Sequence, residues 1–379
     1  MKSDMVILNL KLENILAFND FEVSFSYPKK LSTSLIEEEN LNYRKSFRYK
    51  KLNVFVGSNS TGKTSLVKCI WKTLLFLTKG EKSVIESLYR NGAEHSSIVI
   101  DFVEENIEKS SLYRVIIDHK SGELKIAHQI VDIKEGDSYE SLIKVLDKKE
   151  YVLKDYLEEI HDLNLYFVCN IVLPATEGGF DTVKFLHFDE ETREKEYINI
   201  LNDVLITLDP SIIEVKKSLD SENAMVIKSR NTGNIIIQEG NRLSNYEMLS
   251  SGTKYGISLA NTIYSIKYHL NGIYLVDEQF SYVDSEIEAA ILALLVSLLG
   301  PNEQLFFTTH NHDILDSKLP FHSFYLMRKE IVGDNQKIYI NCASEAGNKN
   351  NVSPKTVLDN DVFNTSPNLE RIYSLFEKE

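Results

Sequence analysis

The chain has 379 residues, 43% hydrophobic and 26% charged, with 42 basic against 56 acidic side chains and a formal charge of −14. This is the composition of a soluble globular protein with ample core material, and seven prolines and sixteen glycines are too few for a long disordered or fibrous region. The acidic balance argues against a surface given over to nucleic acid, since phosphate affinity comes largely from Lys and Arg, but it leaves a local basic groove open. No run approaches the ~18 apolar residues of a membrane span. The N-terminal MKSDMVILNLKLEN alternates instead of forming a secretory core. Cys69, Cys169 and Cys342 are scattered without metal-ligand spacing. They read as buried thiols of a cytoplasmic protein without a membrane segment.

In chain order, residues 5–26 alternate through two runs, ILNLKL and FEVSF, and predict a hairpin turning at Asn19-Asp20. Residues 27–50 are polar and read as a surface loop. KLNVFVG then predicts a buried strand, and SLVKCIWKTLLFL has helical spacing. From 86 to 235 the pattern is mixed. SSIVIDFVE, LYRVIIDH and ELKIAHQIVDI read as antiparallel strands. Residues 138–165 read as helical, with Leu142, Val145, Leu153 and Leu157 as an apolar stripe too short for a coiled-coil arm. NIVLP near 170 predicts a strand and 194–207 a helix. Helix and strand patterning resumes at 255–270, 272–276, 284–299 and 304–309, and KIYINC predicts a strand near the C-terminus.

Between the buried strand and its helix, Gly57-Ser58-Asn59-Ser60-Thr61-Gly62-Lys63-Thr64 fits G-x-x-x-x-G-K-[ST] in full, in the strand–loop–helix context the motif requires. Glycines let backbone N–H groups turn inward around a phosphate, and the helix N-terminus adds positive charge. Lys63 is expected to reach the β- and γ-phosphates, the Thr64 hydroxyl to ligate Mg²⁺, and Ser65 to approach the α-phosphate. The chain is thus expected to bind a nucleotide.

Three later segments bear on its class. Ile273-Tyr274-Leu275-Val276-Asp277-Glu278 is an apolar strand ending in two acids, with Asp277 expected near Mg²⁺ and Glu278 as general base. Leu249-Ser250-Ser251-Gly252-Thr253 precedes a helical run, so Ser250, Ser251 and Gly252 would present a second helix N-terminus to a γ-phosphate. Leu305-Phe306-Phe307-Thr308-Thr309-His310 is an apolar strand ending in a histidine. In this order the segments resemble the Walker A loop, the Leu-Ser-Gly-Gly-Gln signature, the Walker B strand and the switch histidine of ABC-type ATPases. D-E-Q-F-S-Y-V-D at 277–284 keeps the acids, Ser281 and Asp284 in register with that family's D-E-P-T-S-A-L-D, which makes Asp284 the D-loop residue. Gln129 is a candidate Q-loop glutamine.

The resemblance implies an α/β fold, an ABC-ATPase-like P-loop head with a mixed sheet, flanking helices and an antiparallel β subdomain, carrying a mixed α/β insertion. Its expected divisions are an ATPase lobe at 1–85, the insertion at 86–235, a second ATPase lobe at 236–335 and a C-terminal strand and tail at 336–379. Without membrane segments or SMC-type arms, the chain is similar to compact stand-alone "AAA family" ATPases related to SMC, RecF and OLD-nuclease heads. Several such proteins serve as ATPase subunits in bacterial anti-phage systems such as PARIS or Septu. That likeness implies ATP and Mg²⁺, a head-to-tail homodimer or higher homo-oligomer, and a separate nuclease or toxin as effector. A RecF/SMC-like DNA clamp is the alternative. A nuclease within the insertion is a further one, for which Arg90 to His95 supplies an R-x4-H match of the kind seen in HEPN ribonucleases.

Overall fold

A computed structural model describes residues 4–27, 36–105, 108–172, 186, 188, 190–219, 224–230, 233–238, 251–280, 283–332, 335–346 and 354–362. Its elements are β1 (Asp4–Ile15), β2 (Phe18–Ser24), β3 (Leu52–Val56), α1 (Lys63–Lys79), α2 (Lys82–Glu86), β4 (His95–Glu105), β5 (Ser110–Lys120), β6 (Glu123–Asp132), α3 (Tyr139–Leu146), β7 (Lys154–Asp155), α4 (Tyr156–Leu163) and β8 (Cys169–Val172). They continue with α5 (Glu191–Leu208), β9 (Ile212–Lys217), β10 (Ala224–Ser229), β11 (Gly233–Gln238), α6 (Ser251–Lys267), β12 (Ile273–Asp277), α7 (Ser285–Leu298), β13 (Gln304–Thr309), β14 (Phe324–Val332), β15 (Asn335–Cys342) and α8 (Pro354–Asp359).

The central sheet runs β15-β14-β3-β13-β12-β8 and is parallel except for the β14–β15 hairpin. β3, β12 and β13 are buried at every position, as expected for strands covered on both faces. A second, antiparallel sheet runs β2-β1-β4-β5-β6-β7, and a third runs β11-β10-β9. α1 lies between the first two sheets. Its Leu66, Val67, Ile70, Leu74 and Leu77 share one core with Leu10 and Leu12 of β1, Ile100 of β4, Ile117 of β5, and Phe55 and Phe306 of the central sheet. On the opposite face of the central sheet, α6 and α7 pack Leu259, Ile263, Leu292 and Leu295 against Val54, Val56 and Phe307. Among the described residues, no helix is long and apolar enough to cross a membrane.

Side-chain hydrogen bonds tie the two large sheets together, and the Gln304 amide makes two of them. Gln304 accepts the Ile7 N–H at 2.7 Å and donates to the Ile7 carbonyl at 3.0 Å. Both groups lie where the β1–β4 register shifts between Ile7 and Asn9. A bulge leaves backbone groups without ladder partners, and here a buried amide from β13 takes them.

Several expectations change. The N-terminal hairpin turns at Leu16-Ala17, not at Asn19-Asp20: Ile15 pairs with Phe18, and Leu16 takes φ 45°. Asn19 lies within β2 and donates to the Gln336 carbonyl at 2.8 Å. The described part of 27–50 is not a solvated loop, because Leu41, Phe47 and Tyr49 are fully buried on the outer face of the antiparallel sheet, against Val6, Leu8 and Val103. Residues 138–165 form two short helices separated by β7, with Leu142 buried but Val145 and Leu157 exposed. Residue 86 is no domain boundary in the sheets. β4 pairs along β1, and β8 is an edge strand of the central sheet, so 95–132 and 169–172 belong to the same body as the flanking lobes. β14 was not foreseen from its sequence. Cys69 and Cys342 are buried as expected, whereas Cys169 is half-buried.

Replacing Gln304 with Leu should strand both Ile7 backbone groups in the core, at a cost of about 2–5 kcal/mol for two unsatisfied groups. A urea-unfolding midpoint that shifts by less than the equivalent of ~0.5 kcal/mol would show that this bridge does not hold the sheets together.

Candidate functional site

β3 ends at Val56 and the chain loops through Gly57–Gly62 into α1. The loop's geometry dictates its glycines. A Cβ on Gly57 would lie 2.6 Å from the carbonyl oxygen of Met327 in β14. Gly62 has φ 97°, and a Cβ there would meet Ile338 of β15 at 2.7 Å. Gly62 caps α1 with no side-chain hydrogen bond, and the first turn of α1 carries no acidic residue. The free N–H groups and the positive end of a 17-residue helix therefore point at the loop, which is a ready anion cradle.

Lys63 is 2% exposed. Its Nζ donates to the Gly57 carbonyl at 2.8 Å and the Ser58 carbonyl at 3.0 Å, and pairs with Glu278 Oε1 at 2.9 Å. A buried ammonium is tolerated only with such partners. Thr61 donates to the Ser58 carbonyl at 2.9 Å, closing the loop.

The two acids leave β12 in different directions. Asp277 is fully buried. Its Oδ1 accepts the Thr308 hydroxyl at 2.5 Å, and its Oδ2 has no hydrogen-bond partner. Burial pushes its carboxyl up to about 6, against the opposing pull of the Thr308 and Thr64 hydroxyls. Glu278 takes φ 43°, a left-handed conformation that side chains rarely adopt. Its N–H donates to the Thr308 hydroxyl at 3.0 Å and to the Thr308 carbonyl at 3.2 Å. Thr308, in the strand next door, thus orients both acids, a role that the Thr-Thr-His run in the sequence left unassigned.

Asn59, Ser60, Gly62, Lys63, Thr64, Ser65, Glu278 and His310 line one cavity of about 630 Å³, together with Ala17 from the β1–β2 turn. Gly57, Thr61 and Asp277 sit immediately behind it through the contacts above. Ala17 was missed, because its proximity comes from hairpin pairing and not from a motif. Asp284 does not line the cavity: it is exposed and caps α7, accepting the Glu286 N–H at 2.8 Å. Ser250 lies outside the described residues, and Ser251 and Gly252 are described only as the start of α6.

Gln129 is not a site residue. It is buried in β6, where its amide donates to the carbonyls of Leu146, the last residue of α3, and of Lys149 just after it. The R-x4-H match dissolves likewise. Arg90 donates to the Leu16 carbonyl, His95 begins β4 and bonds Asp118 at 2.7 Å, and neither stands on a helix.

A Gly-rich loop feeding a helix, a buried lysine and two acids from the end of a parallel strand one place removed in the same sheet define a P-loop nucleotide-binding protein. The chain belongs to the AAA domain family AAA_23, which matches residues 9–250. Among solved structures, an SMC head bound to the C-terminal winged-helix domain of ScpA is 14% identical, with TM-score 0.54 over 90% of this chain and 99% of that one. An SMC head with an extended coiled coil, bound to the C-terminal domain of ScpA from Pyrococcus furiosus, is 12% identical, with TM-score 0.48 over 90% and 98%. The recombination mediator RecF is 11% identical, with TM-score 0.42 over 88% and 98%. No curated protein matches the chain in sequence. The protein is therefore a P-loop ATPase-family member with the fold of an SMC head, as its motif order implied.

Two outcomes follow from the loop and the acids. Gly57→Ala should weaken ATP binding at least tenfold by calorimetry, because the added methyl meets the β14 backbone and not a flexible side chain; affinity within twofold of wild type would refute this. Asp277 has a folded-state pKa above its unfolded value, so its charge destabilises the fold above about pH 6, and that penalty fades as pH falls through 6 toward 4. Asp277→Asn should accordingly raise the melting temperature of the nucleotide-free, metal-free protein at pH 7–8, with the gain shrinking by pH 5. A gain independent of pH would contradict the assignment.

Proposed function

We propose that the protein binds ATP with Mg²⁺ and hydrolyses it at a composite site between head-to-tail copies, and that nucleotide state controls a separate effector, a nuclease or toxin, in anti-phage defence. The observation that carries the ATPase reading is the convergence of Lys63, Thr64, Glu278 and His310 on one cavity at the N-terminus of α1. Lys63, released from Glu278, moves its charge to the β- and γ-phosphates. Glu278, released from Lys63, takes a proton from the attacking water. Backbone N–H groups around Asn59, Ser60 and Gly62 hold the phosphate oxygens, with Ser65 beside the α-phosphate. His310 reads the γ-phosphate.

Thr64 and Asp277 fit a Mg²⁺ ion. The unpartnered Oδ2 of Asp277 is a hard oxygen donor with no protein group to satisfy it, and this metal takes one or two protein oxygens with the rest from phosphate and water. Bound there, the ion would neutralise charge on the phosphates.

In this reading Ser250, Ser251, Gly252 and Asp284 serve the site of the opposing copy. One P-loop and one signature segment per chain, with Asp284 outside its own cavity, support that arrangement. The closed, ATP-bound pair and the open, product-bound pair are then two populations that an effector can distinguish. The effector and defence assignments rest on the likeness to stand-alone ATPase subunits, together with the acidic composition and a cytoplasmic setting. The SMC-head fold favours a second reading, a clamp that closes on DNA. DNA-stimulated turnover with a steep salt dependence would select the clamp, and a stoichiometric nuclease or toxin co-purifying with Glu278→Gln protein would select the switch.

Lys63→Ala should abolish nucleotide binding. Glu278→Gln should retain ATP, cut turnover by at least a hundredfold and accumulate nucleotide-bound dimers, read by phosphate release and light scattering. Hydrolysis at the normal rate in Glu278→Gln would remove Glu278 as the base.

A further inference from the structure

Glu288 stands in the first turn of α7, after the stretch that includes Asp284, and is 2% exposed. A carboxylate so buried is costly unless hydrogen-bonded. Its Oε2 accepts the Asn311 side-chain N–H at 2.7 Å, while its Oε1 has no hydrogen-bond partner. Burial holds this carboxyl above the ordinary range, against the opposing pull of the Asn311 amide and the Thr309 hydroxyl. Asn311 is fixed elsewhere as well. Its backbone N–H donates to the Thr309 hydroxyl at 2.9 Å, and its side-chain oxygen accepts the Asp313 N–H at 2.9 Å, capping the short helical turn His312–Asp316. On the other side, the Glu288 N–H donates to the Asp284 carbonyl at 3.0 Å, and the Asp284 carboxylate accepts the Glu286 N–H.

A continuous bonded path thus runs from Asp284 through the first turn of α7 to Glu288, across to Asn311, and back one residue to His310 at the cavity wall. We propose that Glu288 is a positioning residue that locks the His310–Asn311 corner against α7, so that γ-phosphate contact by His310 and the placement of Asp284 are set together. The arrangement rests on the ATP-site reading above and goes beyond it. It names the internal link by which the occupied cavity is felt at α7. Contact with the γ-phosphate draws on the corner Glu288 holds, so ATP affinity depends on Glu288 while ADP affinity does not. A coupling between two positions that share one contact is reciprocal and non-additive.

The test uses the full chain in the Glu278→Gln background, with ATP and ADP titrated separately in the presence of Mg²⁺. Glu288→Ala and Asn311→Ala should each lower the ATP-over-ADP preference about tenfold while leaving ADP affinity within twofold. The double variant should lose no more than either single. Glu288→Gln, whose amide oxygen can still accept from Asn311, should stay within threefold of its parent. Asn311→Ala leaves α7 untouched and keeps the test available should Glu288→Ala fail to fold. Equal losses for ATP and ADP, additive losses in the double variant, or an unchanged preference would each overturn the proposal. A parent protein that binds neither nucleotide refutes the ATP-site reading and this proposal with it; a parent that prefers ATP, with Glu288 variants that do so equally, refutes this proposal alone.

Discussion

The ammonium of Lys63 constrains everything around it. It is almost wholly excluded from water, and a charge in that position needs acceptors on all sides. They come from two carbonyls of its own loop and from the carboxylate at the end of a strand more than two hundred residues later. Folding the loop back so far brings its backbone against the Met327 carbonyl, and this is why Gly57 has room for no side chain. The same requirement sets the order of the central sheet, because β13 must lie between β3 and β12 for Thr308 to reach both acids.

The site is expensive to maintain. Asp277 is buried with one oxygen unmatched, Glu278 is held in a left-handed backbone conformation, and Lys63 is closed off by two carbonyls and the Glu278 carboxylate. Such strain persists only where the surroundings over-determine it. Here the surroundings are fully buried parallel strands, an α1 packed between two sheets, and the Gln304 amide bonded from one sheet to the other. Stability is stored in the layers and released at the cavity, a common division between scaffold and site.

How much was legible beforehand depended on the range of the cause. The P-loop, the acidic strand and the strand ending in His310 could be read because each motif encodes a local conformation: a glycine turn, an apolar run, a helix start. Residues of all three line one cavity. The turn of the first hairpin could not be read, because Asn19-Asp20 is the stronger local turn signal, yet cross-strand register puts the turn at Leu16-Ala17. Residues 36–50 looked solvated because Leu41, Phe47 and Tyr49 are sparse among polar neighbours, and their burial depends on the outer face of a sheet formed elsewhere. Gln129 sat on a plausible strand, but its amide is spent on carbonyls at the C-terminal end of α3.

From the sequence alone came the chemistry of the cavity: a phosphate cradle, a lysine, two acids and a histidine, each named by short-range spacing. Only the tertiary structure decided that strands β4–β6 extend the N-terminal sheet, that the β14 backbone backs the P-loop, and that Ala17 and Thr308 stand with the site residues. The difference is physical. A motif is a property of neighbouring residues and survives in one dimension, whereas a sheet register or a buried hydrogen bond between residues 7 and 304 exists only once the whole core has closed around it.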